Sequence, residues 1–174
     1  MHTLTGLAHD RDSHVAYDAE INQQTLRYRS LKMAALQKTL KPPPVFGDAT
    51  GDLLVVGWGS TRGAIEESVE RLRAEGLAVS SLHLRFIQPM PSGIREILGR
   101  FKRVMTIEGN WSDKVEDELI DEDNRRYSAL AMMLRSRFLV DVDCWSEVRG
   151  RPLKPSTIIE AIRAKLAERP GASA

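Results

Sequence analysis

Two polar stretches follow apolar, β-branched runs, and between them they hold most of the side chains that read as ligand- or interface-facing. In Gly57-Trp58-Gly59-Ser60-Thr61-Arg62-Gly63 the glycines permit a tight turn, and the amides beyond them can face an anion at a helix N-terminus. The spacing, Gly-x-Gly-x-x-x-Gly, is one residue off the dinucleotide fingerprint, and no Lys-Ser or Lys-Thr pair follows it as in a P-loop. The stretch therefore reads first as a structural turn, with Ser60 and Thr61 as helix caps, and second as a ligand-facing one. Glu108-Gly109-Asn110 is the other stretch, at the kind of strand end where open α/β sheets place ligands or partners. With Arg85, just past the second predicted strand, the ligand- or interface-facing candidates are Trp58, Gly59, Ser60, Thr61, Arg62, Gly63, Arg85, Glu108 and Asn110.

No catalytic residue is expected within the chain. Glu108 is a single carboxylate without a paired acid or base, and no nucleophile–base set accompanies it. His9 and His14 lie five apart in a loop without a third convergent ligand, so no metal site is expected and they read as exposed or interfacial. His83, flanked by Leu82 and Leu84, reads as a strand residue on the solvent face. Cys144 is the single cysteine, which excludes an internal disulfide and a cysteine-ligated zinc or iron–sulfur site built from this chain alone. Asp113, Glu116, Asp117, Glu118, Asp121, Glu122 and Asp123, answered by Arg125 and Arg126, form either a solvated helix face or a docking surface for a basic partner. Trp111 and Trp145, near strand ends, are candidate interface anchors.

Alternating and helical periodicities supply the elements that must hold these residues. Asp18 caps a helix predicted over 18–40, ended by Lys41-Pro42-Pro43-Pro44 because proline lacks the amide donor and restricts the residue before it. Strands are predicted over 52–57, 78–84, 103–107 and 138–142. Between them come a helix from Ile65 to the glycine cap Gly76, a short helix over 93–100, and helices over 112–123 and 126–137. A last helix uses Ile158, Ile159, Ile162 and Leu166. Strands alternating with crossover helices predict parallel pairing in an α/β sheet. The expected organisation is an N-terminal connection, helix and Pro-rich linker over 1–51, an α/β domain over 52–168, and a frayed tail over 169–174.

Composition narrows the classes. The 174 residues suit one core, and 25 Lys+Arg against 24 Asp+Glu leave a net charge of +1, which gives no electrostatic reason to expect nucleic acid or a membrane as partner. With 42% hydrophobic and 28% charged residues the chain reads as globular, and its apolar runs are too short to span a bilayer. Its N-terminus lacks a basic segment followed by an apolar one, so the cytoplasm is the expected compartment.

Several segments in register resemble a known family. They are Thr5-Gly6-Leu7-Ala8-His9-Asp10, Arg29-Ser30-Leu31-Lys32, Val56 to Gly63, Leu84-Arg85-Phe86-Ile87-Gln88-Pro89-Met90-Pro91, Ile107-Glu108-Gly109-Asn110, Leu130 to Arg135 and Val148 to Leu153. Together they resemble the C-terminal part of the alpha subunit of 2-oxoacid:ferredoxin oxidoreductases, the 2-oxoglutarate type in particular. The resemblance implies a transketolase C-terminal-like domain, an α/β/α sandwich with a mostly parallel sheet of about five strands. It also implies an enzyme that decarboxylates a 2-oxoacid oxidatively to an acyl-coenzyme A, with thiamine diphosphate and iron–sulfur clusters, and passes electrons to ferredoxin.

The implied partners are the remaining alpha-subunit domains and the beta subunit, with a homodimer as a further option. The chain then reads as a domain detached from a longer subunit, or as a stand-alone relative, inactive alone and binding no cofactor by itself. Its role would be subunit packing and the wall of a substrate or coenzyme channel. Two departures from the family pattern stand out: Ala8 where glutamate is usual, and the acidic insertion 111–127 where a Gly-Gln pair leads directly into the next helix. Two other readings stay open: an independent α/β module holding a phosphate or carboxylate, and an interaction domain docking through the acidic insertion.

Overall fold

The computed structural model describes residues 6–114 and 116–168. Thr5 of the first resembling segment, and the predicted tail 169–174, lie outside the described residues. The chain divides into two compact units, one drawn from Met1–Lys41 and Phe86–Ser92, the other from Pro42–Arg85 and Gly93–Ala174.

The first unit is built on α1 (Ala19–Thr39). Asp18 Oδ1 accepts from the amides of Glu20 and Ile21 at 2.9 and 3.1 Å, satisfying two donors that the first helical turn leaves without intrahelical partners. Gln37 Nε2 donates to the Met90 carbonyl at 2.8 Å, and Arg11 reaches the Tyr28 hydroxyl at 2.6 Å. No residue of α1 is buried.

The second unit is a five-stranded sheet, with β1 (Val45–Phe46), β2 (Gly51–Trp58), β3 (Val79–Leu84), β4 (Phe101–Glu108) and β5 (Asp143–Ser146) in the order β1-β3-β2-β4-β5. Every pairing is parallel except the short β1–β3 contact, where Val45 faces Leu82 and Phe46 faces Ser81. The apolar run Leu53-Leu54-Val55-Val56 is fully buried, as required of a central strand covered on both faces. Its odd members Leu53 and Val55 pack with Ile65, Val69 and Leu72 of α2 (Arg62–Ala74) and Ile158 and Ile162 of α5 (Pro155–Ala167). Side-chain alternation turns Leu54 and Val56 to the other face, which α3 (Ile94–Leu98) and α4 (Ala129–Phe138) cover. The result is the predicted α/β/α arrangement.

Two expectations need correction, and one strand has no counterpart among the four predicted. Residues 112–114 and 116–123 are irregular chain with short turns rather than a helix, because carboxylates and Asn124 bond to nearby backbone amides, as when Asp121 accepts from Asp123 and Asn124. The strand expected over 138–142 is displaced: Phe138 ends α4, Leu139 caps it in the left-handed region, and pairing with β4 starts at Asp143. The hydrophobic run Phe138-Leu139-Val140 carried the β signal, but the helix uses its first residue and leaves Leu139 exposed. The antiparallel strand β1 was unassigned, since two residues between prolines and a glycine give too short a pattern to read.

Candidate functional site: the carboxyl-end rim between β2 and β4

Strand order decides where a site can form. From β2 the chain goes through α2 to β3 on one side, and from β4 through α4 to β5 on the other, with α2 and α4 on opposite faces. The carboxyl ends of β2 and β4 thus flank a topological switch point, where open α/β sheets leave a crevice. Trp58 to Gly63 follows one of these ends and Glu108 to Asn110 the other, so the two polar stretches come together there.

Glu108 is the centre of this rim and is fully buried. Its Oε1 accepts from Ser128 Oγ and from the Ala131 amide at 3.1 Å, while Oε2 accepts from the Leu130 amide at 3.0 Å and Asn110 Nδ2 at 2.9 Å. Trp58 Nε1 donates to the same Oε2 at a longer 3.4 Å. The carboxylate therefore sits on the amides at the start of α4 that lack intrahelical partners, where the helix dipole favours a negative charge. Burial pushes its pKa up, but the donors from Ser128, Leu130 and Asn110 outweigh burial and hold it below the ordinary glutamate value. An ionised carboxylate so satisfied binds parts of the protein together; it is poorly placed to accept a substrate proton.

Of the other predicted residues, Trp58 and Asn110 bond to Glu108, and the rest stand in different states. Trp58 closes β2 and is 37% exposed. Gly59 opens a 3-10 turn, Gly59–Thr61, at φ +61°, a conformation that needs no Cβ. Ser60, Arg62 and Gly63 are exposed, and Arg62 pairs with Glu66 at 2.9 Å. Thr61 stands at the N-cap of α2, yet its hydroxyl donates to the Trp58 carbonyl at 2.9 Å and caps no amide. Asn110 joins β4 to α4, since its Oδ1 also accepts from the Ala129 amide at 3.3 Å. Arg85 is exposed beyond β3.

His83 departs from the solvent-facing reading. It pairs with Gly57 across β2–β3 and therefore faces α2, half-buried, with Nδ1 buried and without a hydrogen-bond partner among the described residues. Burial holds its pKa below the ordinary histidine value, and the charges of Arg62 and Arg85 press the same way against Glu66. His9 and His14 do not share a ligand set, but His14 converges with Asp10 and Asp12, whose ligand atoms and its own lie within 4.8 Å of one another, a grouping the five-residue histidine spacing did not suggest. His9 bridges Val15, while His14 lies 3.5 Å from Asp10, whose Oδ1 already accepts from the Asp12 and His14 amides.

Sequence reasoning missed the residues that complete the rim and its flank. Ser128 falls inside the helix predicted over 126–137, whereas it stands at the N-cap of α4, and its bond to Glu108 spans twenty positions. Asp113 was read only as one acid among many; it is buried, and takes Arg126 at 2.9 Å through both Nε and NH2, the Arg126 amide at 2.9 Å and Trp111 Nε1 at 3.0 Å. Those bonds from Arg126, then Trp111, hold Asp113 far below the usual carboxylate range. They close the neck of the acidic insertion into a loop. Asp143 is flanked by Arg125 at 3.1 Å and by Lys165, a lysine inside the apolar pattern of α5 that gave the only hint of a buried partner.

Among the described residues, no helix is long and apolar enough to cross a membrane. Compared with known proteins, the chain is 32% identical to 2-oxoglutarate oxidoreductase subunit KorA of Mycobacterium tuberculosis over 171 residues, which is 97% of this chain and 23% of that subunit. It is 41% identical over 69 residues to the alpha subunit of 2-oxoacid:ferredoxin oxidoreductase 1 of Aeropyrum pernix, covering 38% of this chain and 11% of that one. The chain thus spans about a quarter, or less, of the length of these curated relatives. Its fold superposes with a TM-score of 0.72 on 2-oxoglutarate:ferredoxin oxidoreductase from Magnetococcus marinus, a structure with 2-oxoglutarate, coenzyme A and succinyl-CoA bound, at 23% identity over 95% of this chain and 27% of that one. The profile of the pyruvate:ferredoxin oxidoreductase core domain II matches residues 51–142, from the first residue of β2 through the rim and α4, and the chain belongs to that family.

Proposed function

We propose that this chain serves as a non-catalytic domain of a 2-oxoacid:ferredoxin oxidoreductase, packing against the other parts of the enzyme and walling the channel for substrate or coenzyme at the β2–β4 rim. The observation that carries the reading is the state of Glu108: the acid at the switch point is buried and its oxygens accept from Ser128 and the α4 amides. Such a group fixes a wall. The near-complete alignment of the chain to one quarter of KorA supports the same reading, with 2-oxoglutarate as the favoured substrate of the whole enzyme.

The chain's residues do not fit the redox group this chemistry needs. An iron–sulfur cluster takes several thiolates, and Cys144 is the single cysteine, buried with Sγ 3.9 Å from Arg125. Nor do they fit a diphosphate at the rim, where the buried charge is the carboxylate of Glu108 and the nearest helix-start arginine, Arg62, is already paired to Glu66. In this reading thiamine diphosphate, the cluster and the coenzyme A site belong to the other alpha-subunit domains and the beta subunit, and the assembly delivers electrons to ferredoxin. The pairing of Arg62 also weighs against a stand-alone anion-binding module.

The test is capture of the native complex through this polypeptide, with intact mass, thiamine diphosphate and iron measured on the product. The expected result is a longer alpha subunit, or separate alpha parts, together with a beta subunit, cofactor and iron. Capture of a chain of this length with neither cofactor nor iron contradicts the proposal.

A further inference from the structure

A cleft of about 520 Å³ opens beside the edge strand β5, between the acidic loop and α5. Met105 and Cys144 lie buried at its base with Trp145 and Ala161 half-buried above them. Asp143 within it is already neutralised by Arg125 and Lys165, and Lys165 also meets Glu168 at 2.6 Å. Glu116, Glu122 and Glu160 stand exposed around the opening and have no cationic partner among the described residues. An apolar floor under three unanswered carboxylates suits a long cationic side chain, whose methylene stem and charged head want those two environments.

Two further features narrow the occupant. Strand addition at β5 is blocked at Cys144, whose amide donates to Asp143 Oδ1 at 2.7 Å and whose carbonyl accepts from Arg125 at 3.4 Å. Arg125 lines the cleft with its side chain 10% exposed, and its buried Nε has no acceptor among the described residues. A metal ion would answer the glutamates and leave the apolar floor bare. Lysine or arginine side chains of a peptide cover that floor with their stems while their heads meet the glutamates.

We propose that this cleft docks a basic segment of a partner polypeptide, with Lys or Arg stems lying over Trp145 and Ala161 and their heads meeting Glu116, Glu122 and Glu160. The inference goes beyond the oxidoreductase reading and stands without it, because it uses only the acidic loop, β5 and α5.

The experiment is fluorescence anisotropy with the full 174-residue chain and a short labelled peptide alternating lysine with alanine. Expected are saturable binding that weakens as salt rises, and a loss of about tenfold or more in affinity for E116K/E122K/E160K. The variant E67K/E70K/E96K makes the same change in net charge on α2 and α3 and should bind as the parent does. All six positions are exposed, so folding is retained, and E160K alone carries the same prediction in smaller size. Absence of saturable binding, equal loss in both triple variants, or equal binding of a glutamate–alanine peptide overturns the proposal.

Discussion

Replacing Glu108 by glutamine keeps the shape of the side chain but removes the charge on which Ser128, Asn110 and the Leu130 and Ala131 amides converge. The new amide nitrogen also turns a donor toward donors in a buried site, so E108Q should cost about 3 kcal/mol in urea unfolding. The same carboxylate predicts a pH dependence. Its folded pKa lies below the unfolded value, so its stabilisation is complete above about pH 4.3 and is lost as pH falls through the lower folded value. Asp143 acts in the same direction: burial raises it, but Lys165 and the Cys144 amide bring it below the ordinary aspartate value. Urea midpoints should therefore be level from about pH 7 to 5 and fall below about pH 4, with a shallower acid limb in E108Q. An equal slope in both proteins would remove Glu108 from this account. At this scale the sequence showed that Glu108 follows a strand, and could not show that its oxygens meet the start of a helix twenty residues on. That pairing depends on how α4 crosses the sheet, and no local pattern records it.

At the scale of elements, β2 approaches α2 closely because Gly57 has no side chain: a Cβ there would lie 2.4 Å from Ile65 Cδ1 and 2.7 Å from Thr61 Oγ1. Gly57→Ala should destabilise the unit by about 2 kcal/mol through overpacking, read as a lower thermal or urea midpoint. An unchanged midpoint would mean that Ile65 repacks freely. The acidic loop gives a contrasting case. Asp113→Asn removes the charge that Arg126 grips at the neck, so proteases should cut within 114–125 several-fold faster while the thermal transition of the sheet stays in place. Strands β2, β3 and β4 and helices α1, α2 and α5 were legible because each carries a long period or a strong cap, such as Asp18 or Gly76. The failures share a cause. Residues 112–123 have helical composition, but Asp and Asn bonds to local amides compete with the helix, and Phe138-Leu139-Val140 has β propensity that α4 and its left-handed cap override.

For the molecule as a whole, the fold superposes on about a quarter of a larger enzyme and presents a braced rim at the switch point of its sheet. Family membership was legible in the sequence through short segments in register, whereas the brace of Glu108, the clasped loop and the cleft beside β5 needed coordinates. The central claim is that this domain shapes the enzyme without supplying its chemistry. It is tested most directly by assaying 2-oxoglutarate-dependent, coenzyme A-dependent reduction of a viologen dye, with thiamine diphosphate added, by the purified chain and by the native complex captured through it. The account predicts no turnover above background for the chain and turnover by the complex. Turnover by the chain alone, or a complex that carries thiamine diphosphate and iron yet turns over no 2-oxoacid, would contradict it.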